Sequence, residues 1–139
     1  LVIVGNGERK YELCSIAKEA GAKVDFRGTV YDKKEKQRIF DSCHYGLNIM
    51  KDSVCIGLTM KSIDYFESGL PIINNIKGDT WDVIETYGCG MNIDKEINIG
   101  NEKDFSNAKW YVDRRKNSRG FFESHLTEDV FRKKMMCLI

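Results

Sequence analysis

The residue types best suited to chemistry lie in one stretch, Gly57 to Asn75, which reads Gly-Leu-Thr-Met-Lys-Ser-Ile-Asp-Tyr-Phe-Glu-Ser-Gly-Leu-Pro-Ile-Ile-Asn-Asn. A glycine turn opens a short amphipathic helix near Met60. Gly69 ends it, and Pro71 leads into the apolar pair Ile72-Ile73. The first amides of a helix lack intrahelical acceptors, and the helix dipole leaves positive charge at the same end. A glycine-containing loop that exposes this end suits an anion such as a diphosphate. Asp64, inside the helix, is then placed to accept hydrogen bonds from a ribose. The plainer account is an αβ crossover with a cap at Thr59 and a solvated carboxylate at Asp64.

Positioning such a loop calls for alternating strands and helices, and the chain reads that way. Leu1 to Val4 is a continuous aliphatic run stopped by Gly5-Asn6-Gly7, the pattern of a buried parallel strand. Leu13, Ile16, Ala17 and Ala20 recur at helical spacing between Glu8 and Ala20, and Gly21 closes that helix. A short strand follows from Lys23 to Arg27. Asp32 caps a helix running to about Cys43, with Ile39 and Phe40 inward. Strands at Tyr45 to Met50, Ile72-Ile73 and Met91 to Ile93 alternate with helices from Met60 and from Asp79 to Tyr87. Repeated βαβ units with short loops predict an α/β fold, an open parallel sheet with helices on both faces.

After Asp94 the texture changes. Lys95 to Glu102 is polar and irregular, and from Asp104 onward Phe105, Trp110, Tyr111, Val112, Phe121, Phe122, Leu126, Val130 and Phe131 mix with charges at helical spacing. Thr127-Glu128-Asp129 has the cap and acidic first turn of a final helix. The expectation is one domain over 1–139, with an α/β core at 1–94 and a helical tail at 95–139.

Ligands of open parallel sheets sit at the carboxyl ends of the strands. Three loops compete for that edge. Gly5-Asn6-Gly7-Glu8 is a lone Gly-x-Gly, and Lys10 stands where a dinucleotide fingerprint needs its third glycine, which disfavours an NAD-dependent oxidoreductase. Arg27-Gly28-Thr29-Val30 follows the second strand, and Val54 to Met60 is the third loop. His44 and His125 are isolated from the clustered partners a metal site needs. The five cysteines, Cys14, Cys43, Cys55, Cys89 and Cys137, are scattered, odd in number and without Cys-x-x-Cys, which reads as reduced thiols in the cytosol. A net charge of +1, from 22 basic and 21 acidic residues, gives no reason to expect nucleic acid as a partner. No apolar run approaches the roughly 20 residues of a membrane span.

Gly-Leu-Thr-Met-Lys at 57 to 61, the acidic Asp64 and Gly69-Leu70-Pro71-Ile72 together resemble the nucleotide-sugar segment of retaining, family 4-like glycosyltransferases of the GT-B fold. The resemblance extends to Leu-Val-Ile-Val-Gly-Asn-Gly-Glu at 1 to 8, Val24 to Val30, Ile39 to Asn48, Ile76 to Glu85, and Gly88 to Ile93. It covers about 1–93 and implies a Rossmann-like donor-binding domain, the C-terminal half of a GT-B enzyme. The implied activity is transfer of a sugar from a nucleotide-diphospho sugar to a saccharide or lipid-linked acceptor, in the setting of bacterial cell-surface polysaccharide synthesis. By the same resemblance the amides of Gly57, Leu58, Thr59 and Met60 hold the diphosphate, and Lys61 faces it. Asp64 takes the ribose hydroxyls, and Arg27 and Gly28 meet the nucleobase. No metal or cofactor is required, since helix amides and cations stabilise the departing diphosphate.

The departures are specific. The family often has a glutamate eight positions before its ribose-binding acid, and here that position is Ile56; Asp52 or backbone would have to make the donor-sugar contact. The family's preceding strand, with an Arg and Lys that neutralise the diphosphate, should come before Leu1. The acceptor half would also lie there. The expectation is therefore a fragment of a cytoplasmic enzyme, without a transmembrane segment and with peripheral membrane association of the full-length protein left open. Alone it should bind donor nucleotide weakly and transfer nothing. Two other readings stand beside this one: a non-catalytic nucleotide-binding or interaction domain, and a GT-B-type sugar-nucleotide epimerase.

Overall fold

A computed structural model describes residues 1–51, 53–54, 56–94 and 108–137. The expected irregular run Lys95 to Glu102, the helix start at Asp104, Phe105, Asp52 and Cys55 lie outside the described residues. The chain divides into two compact units, Leu1–Cys43 and His44–Ile139.

In the first unit, β1 (Val2–Val4) pairs in parallel with β2 (Asp25–Gly28), joined through α1 (Lys10–Glu19). Gly5 N donates to the Gly28 carbonyl at 2.7 Å, beyond an irregularity between Ile3 and Val4. Then comes α2 (Lys33–Asp41), started by Asp32, whose carboxylate accepts from Glu35 N at 2.8 Å. That cap follows the sequence expectation, although the helix stops at Asp41 rather than near Cys43. Burial departs from expectation. Leu13 and Ile16 remain 49% and 56% exposed, and Val4 and Phe26 are exposed as well, so the apolar stripe of α1 and the aliphatic run of β1 do not form a buried layer. Ile39 is the one buried residue in this unit, and Phe40 is half-buried.

The second unit carries the core. Three parallel strands, β3 (Gly46–Asn48), β4 (Ile72–Asn74) and β5 (Gly90–Asn92), lie in that order, with Gly46 opposite Ile72 and Ile72 opposite Gly90. The crossovers are α3 (Met60–Glu67) and α4 (Asp79–Tyr87), followed by α5 (Ala108–His125) and α6 (Glu128–Met136). Gly69 turns α3 into β4 at φ +64, a left-handed conformation that a side chain resists; its amide and that of Leu70 donate back to Phe66 and Tyr65 at 3.0 and 2.8 Å. Phe66, Ile72, Ile84, Cys89 and Phe121 form the buried cluster, with the Phe66 and Phe121 rings edge to face at 5.1 Å. The Ser118 hydroxyl on α5 donates to the Cys89 carbonyl at 3.0 Å, which ties α5 to the residue just before β5.

The result is α/β with parallel strands, as the periodicity predicts. The parallel strands pair as a sheet of two in the first unit and a sheet of three in the second.

Candidate functional site

The carboxyl ends of β3 and β4 each lead into a helix N-terminus. After β3 the chain passes Met50 and Gly57 before α3 begins; after β4 a short turn through Asn75 and Gly78 opens α4. These two connections are joined to each other. Asn75 Oδ1 accepts from Met50 N at 2.9 Å, and Asn75 Nδ2 donates to the Met50 carbonyl at 2.8 Å. The Thr80 hydroxyl donates to the Gly57 carbonyl at 3.3 Å.

Thr59 starts α3. Its backbone is extended (ψ 153), and its hydroxyl oxygen accepts from Ser62 N at 3.0 Å. That capping bond satisfies one of the first amides of the helix. The amides of Gly57, Leu58, Thr59, Met60 and Lys61 have no acceptor among the described residues. Five consecutive amides near a helix start can receive an acceptor supplied from outside. The side chains around them differ in reach. Thr59 is buried and Leu58 packs against the core, whereas Met60 and Lys61 are exposed and Asp64 is half-buried one turn on.

Beneath this loop lies a polar network that is buried at Asn48 and Asn74 and half-buried at Asn92. Asn48, Asn74 and Asn92 occupy partner positions at the ends of β3, β4 and β5. Asn48 Nδ2 donates to Asn74 Oδ1 at 3.0 Å, and Asn74 Nδ2 donates to Asn92 Oδ1 at 2.9 Å. Asn48 also meets Thr59 and Ser62, at 3.1 and 3.0 Å. Asn48, Asn74, Ser62 and Thr80 are 0% exposed. Burying this many polar groups is tolerated only when each finds a partner, which they do.

Sequence reasoning placed Asp79 only as a helix start, and it has a second role. A methyl group built on Gly57 would stand 2.6 Å from Asp79 Oδ2, so the carboxylate lies directly against that residue. Asp79 is exposed, so rotation of its side chain would make room for a methyl group there. The negative charge works against an anion at the Gly57 end of the loop and leaves the Met60–Lys61 end as the more favourable place for one. The asparagine network was missed as well. Its signal in the sequence, an Asn ending each strand, becomes visible only once the strand register is known.

Arg27 and Gly28 belong to the first unit, and Gly57 to Asp64 to the second. Arg27 forms an ion pair with Asp25 at 2.7 Å, and Gly28 is in the left-handed region at φ +66 with its carbonyl bonded to Gly5 N. In the first unit a cavity of about 460 Å³ is lined by Ile3, Val4, Leu13, Ile16 and Phe26 among others. The histidines sit among aromatic rings. His44 lies 5.6 Å from the Tyr111 ring, and His125 stacks on Phe121 at 4.8 Å while its Nε2 meets the Tyr87 hydroxyl at 3.0 Å. Burial pushes the Cys89 thiol up to about 12, which keeps it protonated and unreactive.

Among the described residues no group of three or more His, Cys, Asp or Glu is arranged to hold a metal ion, and no helix is long and apolar enough to cross a membrane. In comparisons with known proteins, no family model matches this chain, and neither a curated protein nor a solved structure shows significant similarity to it.

Proposed function

We propose that the second unit carries the donor-diphosphate site of a glycosyltransferase, in a Rossmann-like domain of GT-B type that binds a nucleotide-diphospho sugar. One observation carries this reading: the amides from Gly57 to Lys61, at the carboxyl end of β3 and the start of α3, have no acceptor among the described residues. Open amides, a positive helix end and the Lys61 ammonium together complement the charge that develops on a departing diphosphate. Asp64 lies one turn beyond Lys61 and serves the ribose hydroxyls. The scheme uses no metal ion.

An amide-shift titration with UDP, GDP and ADP tests it, repeated on Asp64→Ala. Shifts at Gly57 to Asp64 that favour one base and weaken in the variant are expected. Equal, unlocalised response to all three nucleotides would overturn the reading. The carboxylate of Asp79 beside Gly57 favours the second reading, a non-catalytic nucleotide-binding or interaction domain, because it repels a phosphate at one end of the loop. Tighter binding of uncharged nucleoside than of nucleoside diphosphate would select that alternative.

A further inference from the structure

Asn74 gives a direction to every hydrogen bond around it. Its Oδ1 accepts from Ile76 N at 3.2 Å, and its Nδ2 donates to the Ile76 carbonyl at 2.9 Å. A backbone amide only donates and a carbonyl only accepts, so this side-chain amide cannot be turned over. Asn92 agrees with it. Asn92 Nδ2 lies between two acceptors, the Trp81 carbonyl at 3.0 Å and the Glu85 carboxylate at 2.8 Å, which leaves its Oδ1 facing Asn74.

The same logic passes to Asn48. Its Nδ2 faces Asn74 Oδ1, so its own Oδ1 faces the Thr59 hydroxyl. Thr59 then donates to Asn48 Oδ1 at 3.1 Å, and Asn48 Nδ2 donates to Ser62 Oγ at 3.0 Å. The remaining proton, on Ser62 Oγ, has two acceptors in reach, Thr59 Oγ1 at 2.7 Å and Thr80 Oγ1 at 3.5 Å, and the much shorter contact to Thr59 takes it. Three bonds thus close a ring in which each group passes a proton donor to the next in one sense.

We propose that Asn48, Ser62 and Thr59 form a one-way hydrogen-bonded ring, its sense set by Asn74, that positions the start of α3 and turns both hydroxyl protons away from any ligand. Asn48 is a positioning residue in this arrangement. A ligand at the loop meets open backbone amides and Lys61, and no hydroxyl donor from Thr59 or Ser62. Chains of hydrogen bonds that run one way polarise one another, and at 0–5% exposure water does not replace a missing member. The consequence for ligand binding rests on the donor-site reading above, whereas the ring itself does not.

Amide hydrogen exchange on the whole chain tests the ring with three variants. Ser62→Ala keeps the cap oxygen of Thr59 and opens the ring. Thr59→Val removes ring and cap together, and Thr59→Ser keeps both. Exchange at residue 62 and at Ile63 should accelerate about tenfold in Ser62→Ala, as expected for loss of a buried hydrogen bond. Thr59→Ser should match the parent, and the Ile72 and Ile84 amides should stay protected throughout. Unchanged exchange in Ser62→Ala overturns the ring, and that variant decides the matter even where Thr59→Val does not fold. A titration with inorganic pyrophosphate, read at Met60 and Lys61, addresses the second layer. Shifts in the parent that weaken in Ser62→Ala support positioning. Shifts of equal affinity in both overturn it. A parent that does not respond removes the donor-site reading, and exchange alone then decides the ring.

Discussion

Replacing Gly90 by alanine tests how closely β5 approaches β4. A methyl group built on Gly90 would lie 2.2 Å from the Ile72 carbonyl oxygen and 2.9 Å from Ile72 N. A carbon and an oxygen rest about 3.3 Å apart at their closest comfortable distance, so β5 would have to retreat by roughly 1 Å. The obstacle is strand backbone, which no rotamer change removes. Overpacking of this kind costs about 1–3 kcal/mol. The retreat also loosens the Ile72 N to Cys89 carbonyl bond, 3.3 Å long, for about 1 kcal/mol more. Against this stands a gain of roughly 0.4–1 kcal/mol from a stiffer unfolded chain. The net loss is then about 1–3.5 kcal/mol, and with a urea slope near 1.5 kcal/mol per molar the midpoint falls by about 0.7–2.4 M.

Gly120 on α5 supplies the control, since nothing lies within 4 Å of its built methyl. Gly120→Ala should stabilise by roughly 0.5–1 kcal/mol through helix propensity. Urea titrations of both variants, followed by far-UV circular dichroism, give opposite signs. A Gly90→Ala variant as stable as the parent would refute the strand spacing, and with it the alignment of Asn74 with Asn92.

Further outcomes follow from other contacts. Asp79→Asn should tighten binding of a nucleoside diphosphate about threefold in low salt, because one charge at roughly 6 Å in water is worth about 0.7 kcal/mol; calorimetric titration reads it, and unchanged affinity would place the anion elsewhere. Cys89 should resist a thiol reagent in the native chain at pH 8 while Cys14, Cys43 and Cys137 react, and modification of all of them at one rate would refute its burial. The raised Cys89 pKa also gives a signed pH effect. The native state holds this proton between pH 9.0 and about 12 while the unfolded chain releases it, so this contribution to stability is full below that window and is lost across it. Cys89→Ala, compared by urea unfolding at pH 8 and pH 10.5, should flatten that fall. Asp32→Ala should destabilise α2 by about 1 kcal/mol through loss of its cap, seen as faster exchange of the Glu35 amide.

Much of the local structure was legible because local chemistry decides it. The limits of α4 at Asp79 and Tyr87 follow from Gly78 and Gly88, and Gly88 adopts the left-handed C-terminal conformation at φ 61. The cap residues Asp32, Thr59 and Thr127 each accept from the amide three residues on. What stayed hidden depends on partners far along the chain. The one-sided apolar spacing of Leu13 and Ile16 predicts burial, but spacing cannot say whether an opposing surface exists, and here both are exposed. The alignment of Asn48, Asn74 and Asn92 requires the register of three strands, which no single segment encodes. The same holds for Asp79, whose contact with Gly57 joins residues from different crossovers.

The shallow interior of the first unit has a thermodynamic consequence. With Ile39 as its one buried residue, Leu1–Cys43 has little apolar surface to exchange for the entropy of ordering its chain. The second unit holds the whole buried cluster around Phe66 and Phe121. Heating should therefore melt the molecule in stages rather than at one temperature. The calorimetric enthalpy would then exceed the van't Hoff value, and a single midpoint would describe neither stage.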